Sequence, residues 1–223
     1  MEDIFYSTRF YDAIPEKFLG ETILEVGAST GLAQTQSKHA EKFSSNYLGI
    51  DLFFADNSRL NIIKVDAIDF DYQENKYDTI LSVATLEHID FSNWENLLQK
   101  WKSALKKNGY IVIIVPDREL PIDHLKTDYY TAKNQTENGY AGHRVFSIDE
   151  RVFKHFLGDL CYIKRIRQPL RFRGESESLV WALLRFCKRV VFFHYYVWDA
   201  ILRKKQCLLV VYQKRGEDIN RKL

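Results

Sequence analysis

Short apolar runs alternate with polar, helix-compatible segments along most of this chain. Five runs before residue 116 have the length and composition of buried strands: residues 22–26, 46–51, 61–67, 77–83 and 110–115. Two further runs, residues 160–167 and 206–213, are predicted strands nearer the end of the sequence. Because strands that alternate with helices form a parallel sheet covered by those helices, this order predicts an α/β fold.

Two segments carry start and stop signals for helices, and a third has helical spacing alone. Ser92 and Glu95 form a predicted capping box that opens a helix ending at Gly109. A second capping box predicts another helix within residues 147–158, and aromatic and apolar residues spaced by four predict a short helix within residues 10–18. The strands and helices together account for most of a compact domain.

The composition is that of an ordinary globular protein. The 223 residues are 46% hydrophobic and 28% charged, which suits one well-buried domain spanning residues 1–223. The net charge of +2 gives no electrostatic reason to expect a nucleic-acid partner. The sequence has three cysteines, Cys161, Cys187 and Cys207. Because an odd number cannot all pair and their spacing is not that of metal ligands, we expect reduced thiols and a cytoplasmic protein.

The first predicted strand runs directly into a glycine turn. Gly27 and Gly31 follow Thr22–Val26, and a helix-compatible segment begins after them, which is typical of a nucleotide-binding βα unit. Glu25 narrows the choice of ligand, because a carboxylate two residues before the turn repels a pyrophosphate and therefore opposes binding of NAD. A positively charged ligand is attracted by the Glu25 carboxylate, and S-adenosylmethionine has both a sulfonium and an ammonium group.

The segment Glu25–Gly31 resembles the first motif of class I S-adenosylmethionine-dependent methyltransferases, E/D-x-G-x-G-x-G, with Ser29 in place of the middle glycine. The segment from Tyr77 to His88 resembles the fourth motif of the small-molecule and lipid methyltransferases in that class. The resemblance covers about residues 20–160. It implies a Rossmann-like, doubly wound α/β fold: a seven-stranded, mostly parallel sheet with one antiparallel edge strand and helices on both faces.

Candidate cofactor residues stand at the ends of the predicted strands. Asp51 lies 24 residues after Gly27, about the distance at which an acidic residue meets a ribose in nucleotide-binding folds; a simple turn residue is the alternative. The resemblance further implies that Asp66 accepts a hydrogen bond from the adenine. The predicted cofactor-binding set is Glu25, Gly27, Ala28, Ser29, Gly31, Asp51, Leu52, Asp66, Ala67, Val83, Ala84, Thr85 and His88. The resemblance also places a leading helix over the cofactor, where Tyr6, Arg9 or Tyr11 would reach the methionine end unless that helix only packs on the sheet.

Three histidines are candidates for a general base. A base is needed only if the acceptor atom carries a proton that must leave. His88 follows the fourth predicted strand, whereas His124 and His143 lie in a connection without clear periodicity, residues 116–146, that follows the fifth strand on the substrate side. A purely structural role is the alternative for each histidine. We predict no metal site, because scattered Asp and His on one loop more often form hydrogen bonds than bind a metal.

A basic and strongly aromatic stretch lies between the last two predicted strands. Residues 170–204 form an insertion there, and residues 179–203 read as an amphipathic helix with Arg185, Lys188 and Arg189 opposite its aromatic side. One interpretation is peripheral membrane contact or a lid over a lipid-like acceptor. A helix packed on the domain, or a homodimer contact, is the alternative.

The predicted activity is methyl transfer from S-adenosylmethionine to a small-molecule, glycan-linked or lipid-linked acceptor, at oxygen. The Asn/Asp-Pro-Pro-aromatic motif of many nucleobase and glutamine N-methyltransferases is absent after Val83, which argues against a nucleic-acid substrate. A non-catalytic methyltransferase-like binding module is the alternative from another class of protein.

Overall fold

A computed structural model describes residues 10–28, 31–43, 46–53, 56–117, 148, 150–158, 161–167 and 206–215. The described strands are β1 (Thr22–Val26), β2 (Asn46–Asp51), β3 (Ile62–Lys64), β4 (Tyr77–Val83), β5 (Leu105–Asp117), β6 (Tyr162–Arg167) and β7 (Gln206–Gln213). The described α-helices are α1 (Leu32–Gln36), α2 (Trp94–Ala104) and α3 (Glu150–Leu157), and residues 10–13 form a further helical turn.

The strands form one seven-stranded sheet in the order β3-β2-β1-β4-β5-β7-β6. Strands β3, β2, β1, β4 and β5 are mutually parallel, and β7 is antiparallel to both of its neighbours. The order reverses at β1, which pairs with β2 on one side and with β4 on the other. The Rossmann-like, doubly wound fold is confirmed, and its single antiparallel strand is the inner of the last two, with β6 outside it.

Both faces of the sheet are buried, as the continuous apolar runs predict for parallel strands. On one face α2 and α3 cover Leu24, Ile80 and Ile113, and the indoles of Trp94 and Trp101 are fully buried there. Both tryptophans therefore belong to the core, as the helical spacing of α2 predicts.

The opposite face is covered in part by the segment before β1. Phe10, Ile14 and Phe18 are 1–5% exposed and pack with Ile23 and Leu81 of the sheet. The described part of this segment combines the helical turn of residues 10–13 with a 3₁₀ turn at Glu16–Phe18. The segment packs on the sheet as predicted, but it forms two separate turns and not one helix, because the extended residue Pro15 lies between them. Tyr6 and Arg9 lie outside the described residues.

The helix limits around α2 differ from those predicted. A 3₁₀ turn at Phe91–Asn93 precedes the helix, Asn93 is the N-cap, and no side chain caps it, so the predicted capping box at Ser92 is wrong. The helix ends at Ala104, before Gly109, because Leu105 already pairs with Tyr77 of the sheet. Competition from strand pairing thus shortens the helix.

Two predicted insertions and one predicted capping box fall largely outside the described residues. Residues 118–147 and 170–204 lie outside the described residues, and of residues 116 and 117 only the backbone is described. Helix α3 and its predicted end are described. Gly158 has φ 76° and its N–H donates to the Lys154 carbonyl at 3.0 Å, which confirms it as the stop signal. Within the described part of the chain, no helix is long and apolar enough to cross a membrane.

Candidate active site

The register of the sheet brings the ends of three parallel strands into one row. Val26 of β1 pairs with Ile50 of β2 on one side and with Ser82 of β4 on the other. The residues that follow these three are Gly27, Asp51 and Val83. They therefore lie side by side at the carboxyl edge of the sheet, next to the point where strand order reverses, and ligands of open α/β sheets bind at that point.

The turn after β1 is held tightly against its neighbours. The N–H groups of Gly27 and Ala28 donate to the Ile50 carbonyl at 2.8 and 3.1 Å. Gly27 and Gly31 have φ values of 81° and 75°, in the region that favours glycine. A β-carbon on Gly27 would also lie 1.9 Å from Oγ1 of Thr85. The first glycine is therefore required both by the backbone conformation and by the close approach of the loop after β4.

Asp51 ends β2 as a carboxylate that is only 8% exposed. Its Oδ1 accepts a hydrogen bond from the Phe53 N–H at 2.8 Å, which fixes the carboxylate at the start of the following turn. Leu52 and Phe53 in that turn have side chains that are 45% and 40% exposed. A carboxylate beside two exposed apolar side chains suits a ligand with hydroxyl groups next to a flat ring, such as a nucleoside.

The next acidic residue along this edge is Asp66, which lies beyond the end of β3. Strand pairing stops at Lys64, which pairs with Asp51, so Asp66 belongs to a turn and not to the predicted strand. Oδ1 of Asp66 accepts the Ile68 N–H at 2.9 Å, and the carbonyl of Ala67 accepts the hydroxyl of Tyr72 at 2.9 Å. The turn is thus fixed by hydrogen bonds on the β2 side of the glycine turn.

The loop after β4 contributes the other predicted cofactor residues. Val83 is 6% exposed, and Ala84 has φ 51°, a conformation uncommon for a residue other than glycine. Oγ1 of Thr85 donates to the Val83 carbonyl at 3.1 Å. A 3₁₀ turn follows at Leu86–His88, with the His88 N–H donating to the Thr85 carbonyl at 2.9 Å. The half-buried side chain of His88 is therefore carried on a short turn beside the glycine turn.

Glu25 lies beneath this edge, on the face covered by the N-terminal segment. Its carboxylate is completely buried, with Oε1 accepting a hydrogen bond from the hydroxyl of Tyr11 and Oε2 accepting one from Tyr47. Tyr11 belongs to the helical turn of residues 10–13, and Tyr47 belongs to β2. Three separate segments therefore meet at one carboxylate.

Burial dominates the electrostatics of this cluster. Loss of water raises the pKa of Glu25 to about 7, although the hydrogen bonds from Tyr11 and Tyr47 act in the opposite direction, and the charge of Asp51 adds a smaller upward contribution. Burial, together with the neighbouring Glu25, raises the pKa of both tyrosines well above the ordinary value. Glu25 therefore titrates near neutral pH, whereas both phenols remain hydrogen-bond donors.

Sequence reasoning missed Tyr47 and gave Tyr11 only as one of three residues that would reach the methionine end. No local pattern indicates Tyr47, because its place beside Glu25 depends on the strand register, in which Gly49, two residues after Tyr47 on the same face, pairs with Glu25. A β-carbon on Gly49 would lie 3.0 Å from the Tyr47 hydroxyl. The glycine thus leaves room for that hydroxyl beside Glu25. Of the predicted site residues, Ser29, His124 and His143 lie outside the described ones.

The described part of this edge fits the chemistry of S-adenosylmethionine. A carboxylate such as that of Asp51 can accept hydrogen bonds from the two hydroxyls of a ribose, the exposed side chains of Leu52 and Phe53 can pack against a ring, and a buried acid such as Glu25 can attract a cation. Gly27 lets the backbone turn at the point where the three strands end. The fold and this edge are those of an α/β protein whose ligands bind at the carboxyl ends of its strands.

Comparison with known proteins gives the family. A family model described as a methyltransferase domain matches residues 5–154, well over half of the chain. The chain belongs to this methyltransferase-domain family, and it is an S-adenosylmethionine-dependent methyltransferase. Among proteins with curated descriptions, none matches this sequence.

Solved structures of low sequence identity share the fold. An S-adenosylmethionine-dependent methyltransferase from Archaeoglobus fulgidus superimposes with a TM-score of 0.51 and 19% identity, with 88% of each chain covered. An S-adenosylmethionine-dependent methyltransferase from Methanosarcina mazei superimposes with a TM-score of 0.55 and 14% identity, covering 92% of this chain and all of the other. A third structure is phosphoethanolamine N-methyltransferase 2 of Haemonchus contortus in complex with S-adenosyl-L-methionine. It superimposes with a TM-score of 0.57 and 14% identity, covering 93% of this chain and 53% of the enzyme.

Proposed function

We propose that this methyltransferase acts on a hydroxyl group of a small-molecule, glycan-linked or lipid-linked acceptor. The observation that carries the proposal is the loop after β4, where Ala84, Thr85 and a 3₁₀ turn bearing His88 stand beside the glycine turn. A hydroxyl acceptor has a proton to lose, and an imidazole is the side chain best suited to take a proton near neutral pH.

The chain's own residues have separable roles in this proposal. Bound S-adenosylmethionine supplies a methyl group attached to a positively charged sulfur. Asp51 would hold the ribose, Asp66 the adenine and Glu25 the methionine portion, which fixes the ligand in one orientation. Orientation of two reactants is worth several kcal/mol of activation free energy. His88 would take the proton of the acceptor hydroxyl, with His143 and His124 as the other candidates for that role.

A second candidate acceptor is a small-molecule amine. The enzyme from Haemonchus contortus named above is a phosphoethanolamine N-methyltransferase, and this chain shares its fold. A neutral amine attacks through its lone pair, so the need for a base is smaller than with a hydroxyl acceptor. The two acceptor classes therefore predict different sensitivities to loss of histidine.

Acceptor screening with isotope-labelled S-adenosylmethionine tests the proposal. We expect label to appear in a hydroxyl-bearing small molecule, glycan or lipid, and not in amines of similar size. Label in an amine alone would establish the second candidate instead. Calorimetric titration with S-adenosylmethionine, S-adenosylhomocysteine and NAD is the companion measurement, in which the first two are expected to bind and NAD is not.

A further inference from the structure

The buried acid Glu25 has an unusual set of partners. Tyr11 and Tyr47, both 3% exposed, donate one hydrogen bond to each of its oxygens. Within the described residues, no lysine, arginine or histidine forms an ion pair with Glu25. A phenol stabilises a carboxylate without cancelling its charge. The two phenols therefore favour the ionised form of a carboxyl group that burial disfavours.

We propose that Tyr11 and Tyr47 are positioning residues that fix Glu25 as the counter-ion of the cofactor's ammonium group, so that cofactor binding is coupled to the release of one proton. The inference rests on the cofactor site described above and adds to it a role for two tyrosines. It also adds a thermodynamic link between pH and affinity. When the cation binds, the O–H bond of the Glu25 carboxylic acid breaks, the proton passes to bulk solvent, and the carboxylate remains.

Charged and titratable groups lie on several of the elements that surround Glu25. The helical turn of residues 10–13 contributes Tyr11, whereas its neighbour Asp12 instead accepts the Lys38 N–H at 2.8 Å. Strand β2 contributes Tyr47 and, at its end, Asp51. Strand β4 places the non-ionisable Leu81 opposite Glu25. The buried ring of His39 forms a hydrogen bond with the Ile14 carbonyl at 3.0 Å.

The sign of the pH effect follows from these groups. Burial holds the pKa of Glu25 at about 7 in the free protein, so below that pH the acid is neutral and must lose its proton before it can pair with a cation. Each pH unit below this value should weaken binding by up to about tenfold. Removal of a phenol hydroxyl takes away a group that stabilises the carboxylate, so the profile should move to higher pH.

The experiment measures the affinity of S-adenosylhomocysteine from about pH 5 to about pH 7.5, below the range in which α-amino groups lose their proton. 5′-Methylthioadenosine, which lacks the amino-acid portion, is the control ligand. Titrations in buffers of different ionisation enthalpy count the protons released. For S-adenosylhomocysteine we expect up to about tenfold weaker binding per pH unit below pH 7, with release approaching one proton. For the control ligand we expect no pH dependence and no proton release.

Substitutions distinguish a positioning role of Tyr11 and Tyr47 from a purely structural one. Tyr47→Phe and Tyr11→Phe should each shift the profile to higher pH, and Glu25→Gln should abolish both the pH dependence and the proton release. Tyr110→Phe is the matched control, because its hydroxyl accepts a hydrogen bond from Gln213 at 3.1 Å, away from the carboxyl edge. Its pH profile should match that of the wild type. Having two independent phenol variants keeps the test decisive if one of them fails to fold.

Three results would overturn the inference. Affinity for S-adenosylhomocysteine that does not change with pH would remove the proton coupling, while leaving the cofactor assignment in place. Profiles of both phenol variants that superimpose on that of the wild type would remove the positioning role. No binding of S-adenosylhomocysteine at any pH would overturn the cofactor site itself, and with it this inference.

Discussion

The ammonium group of Lys106 lies 2.8 Å from Oδ2 of Asp78 and joins the beginning of β5 to that of β4. The same carboxylate oxygen accepts the Thr22 N–H at 2.9 Å, at the beginning of β1. Burial by itself would raise the pKa of Asp78, but the hydrogen bonds and charge of Lys106 and the Thr22 N–H outweigh it, so the pKa lies below the ordinary value. Asp78 thus ties three strands together at the end of the sheet opposite the candidate site.

Replacement of Asp78 should therefore destabilise the fold in a pH-dependent way. Asp78→Ala should lower the free energy of unfolding by about 1–2 kcal/mol at neutral pH. Because the folded pKa is depressed, this contribution is present above about pH 4, the unfolded value, and is lost as pH falls through the folded value. Denaturant unfolding at neutral and acidic pH measures it. Glu16→Ala, which breaks the exposed pair with Lys42 at 3.4 Å, is the control and should cost less than about 0.5 kcal/mol.

Two glycines with the same backbone conformation should respond differently to alanine. Gly158 has open space where a β-carbon would stand, so Gly158→Ala should cost only the conformational strain, about 1–2 kcal/mol. Gly27→Ala adds a clash with Thr85 and should cost roughly 1–3 kcal/mol more. It should also weaken binding of S-adenosylhomocysteine, whereas Gly158→Ala should not. Equal losses of stability would show that the contact with Thr85 relaxes without cost.

Loss of the Asp51 carboxylate should weaken cofactor binding. Charge-assisted hydrogen bonds are worth about 1.5–3 kcal/mol, so Asp51→Ala should raise the Kd for S-adenosylhomocysteine roughly tenfold to 150-fold. Calorimetric titration measures the change. Asp71→Ala, at an exposed acidic residue, is the matched control and should bind normally. An unchanged Kd in Asp51→Ala would remove Asp51 from the site.

Loss of the general base should lower turnover more than cofactor affinity. His88→Ala is the first test, and we expect turnover about a hundredfold to ten-thousandfold lower on a hydroxyl acceptor. His143→Ala and His124→Ala are the next tests in order. His155→Ala, at an exposed position of α3, is the control and should keep full turnover. If His88→Ala keeps full turnover, His88 is not the base, and full turnover in all three histidine variants would place the base elsewhere.

The basic aromatic segment at residues 179–203 should bind anionic membranes if the membrane interpretation is right. Each basic residue near an anionic surface adds about 1 kcal/mol, so charge reversal at Arg185, Lys188 and Arg189 should abolish vesicle flotation at low salt. Charge reversal at three exposed lysines elsewhere, Lys38, Lys107 and Lys164, is the control of equal net charge. No flotation of the wild type, or equal flotation of both variants, would favour a packed helix or lid.

Local signals in the sequence were sufficient to predict the strands that build the site. The bounds of β1, β2, β4 and β7 agree with the predicted runs residue by residue. Buried parallel strands read as short apolar runs, and glycine or a carboxylate marks where such a run reaches the edge of the sheet. The cofactor class follows from Glu25 and Gly27, which are neighbours in the sequence as well as in space.

The tertiary structure decided the features that depend on contacts between residues far apart in the sequence. Leu105 ends α2 because Tyr77 offers it a strand partner, which outweighs the local helical spacing. Tyr11 and Tyr47 meet at Glu25 from 14 and 22 residues away, on either side of it in the sequence. The fold removes water from that carboxylate, and this desolvation, which no local pattern records, sets its pKa. The sequence by itself therefore determined the strands and the kind of ligand, whereas packing determined how the central acid is held and when it ionises.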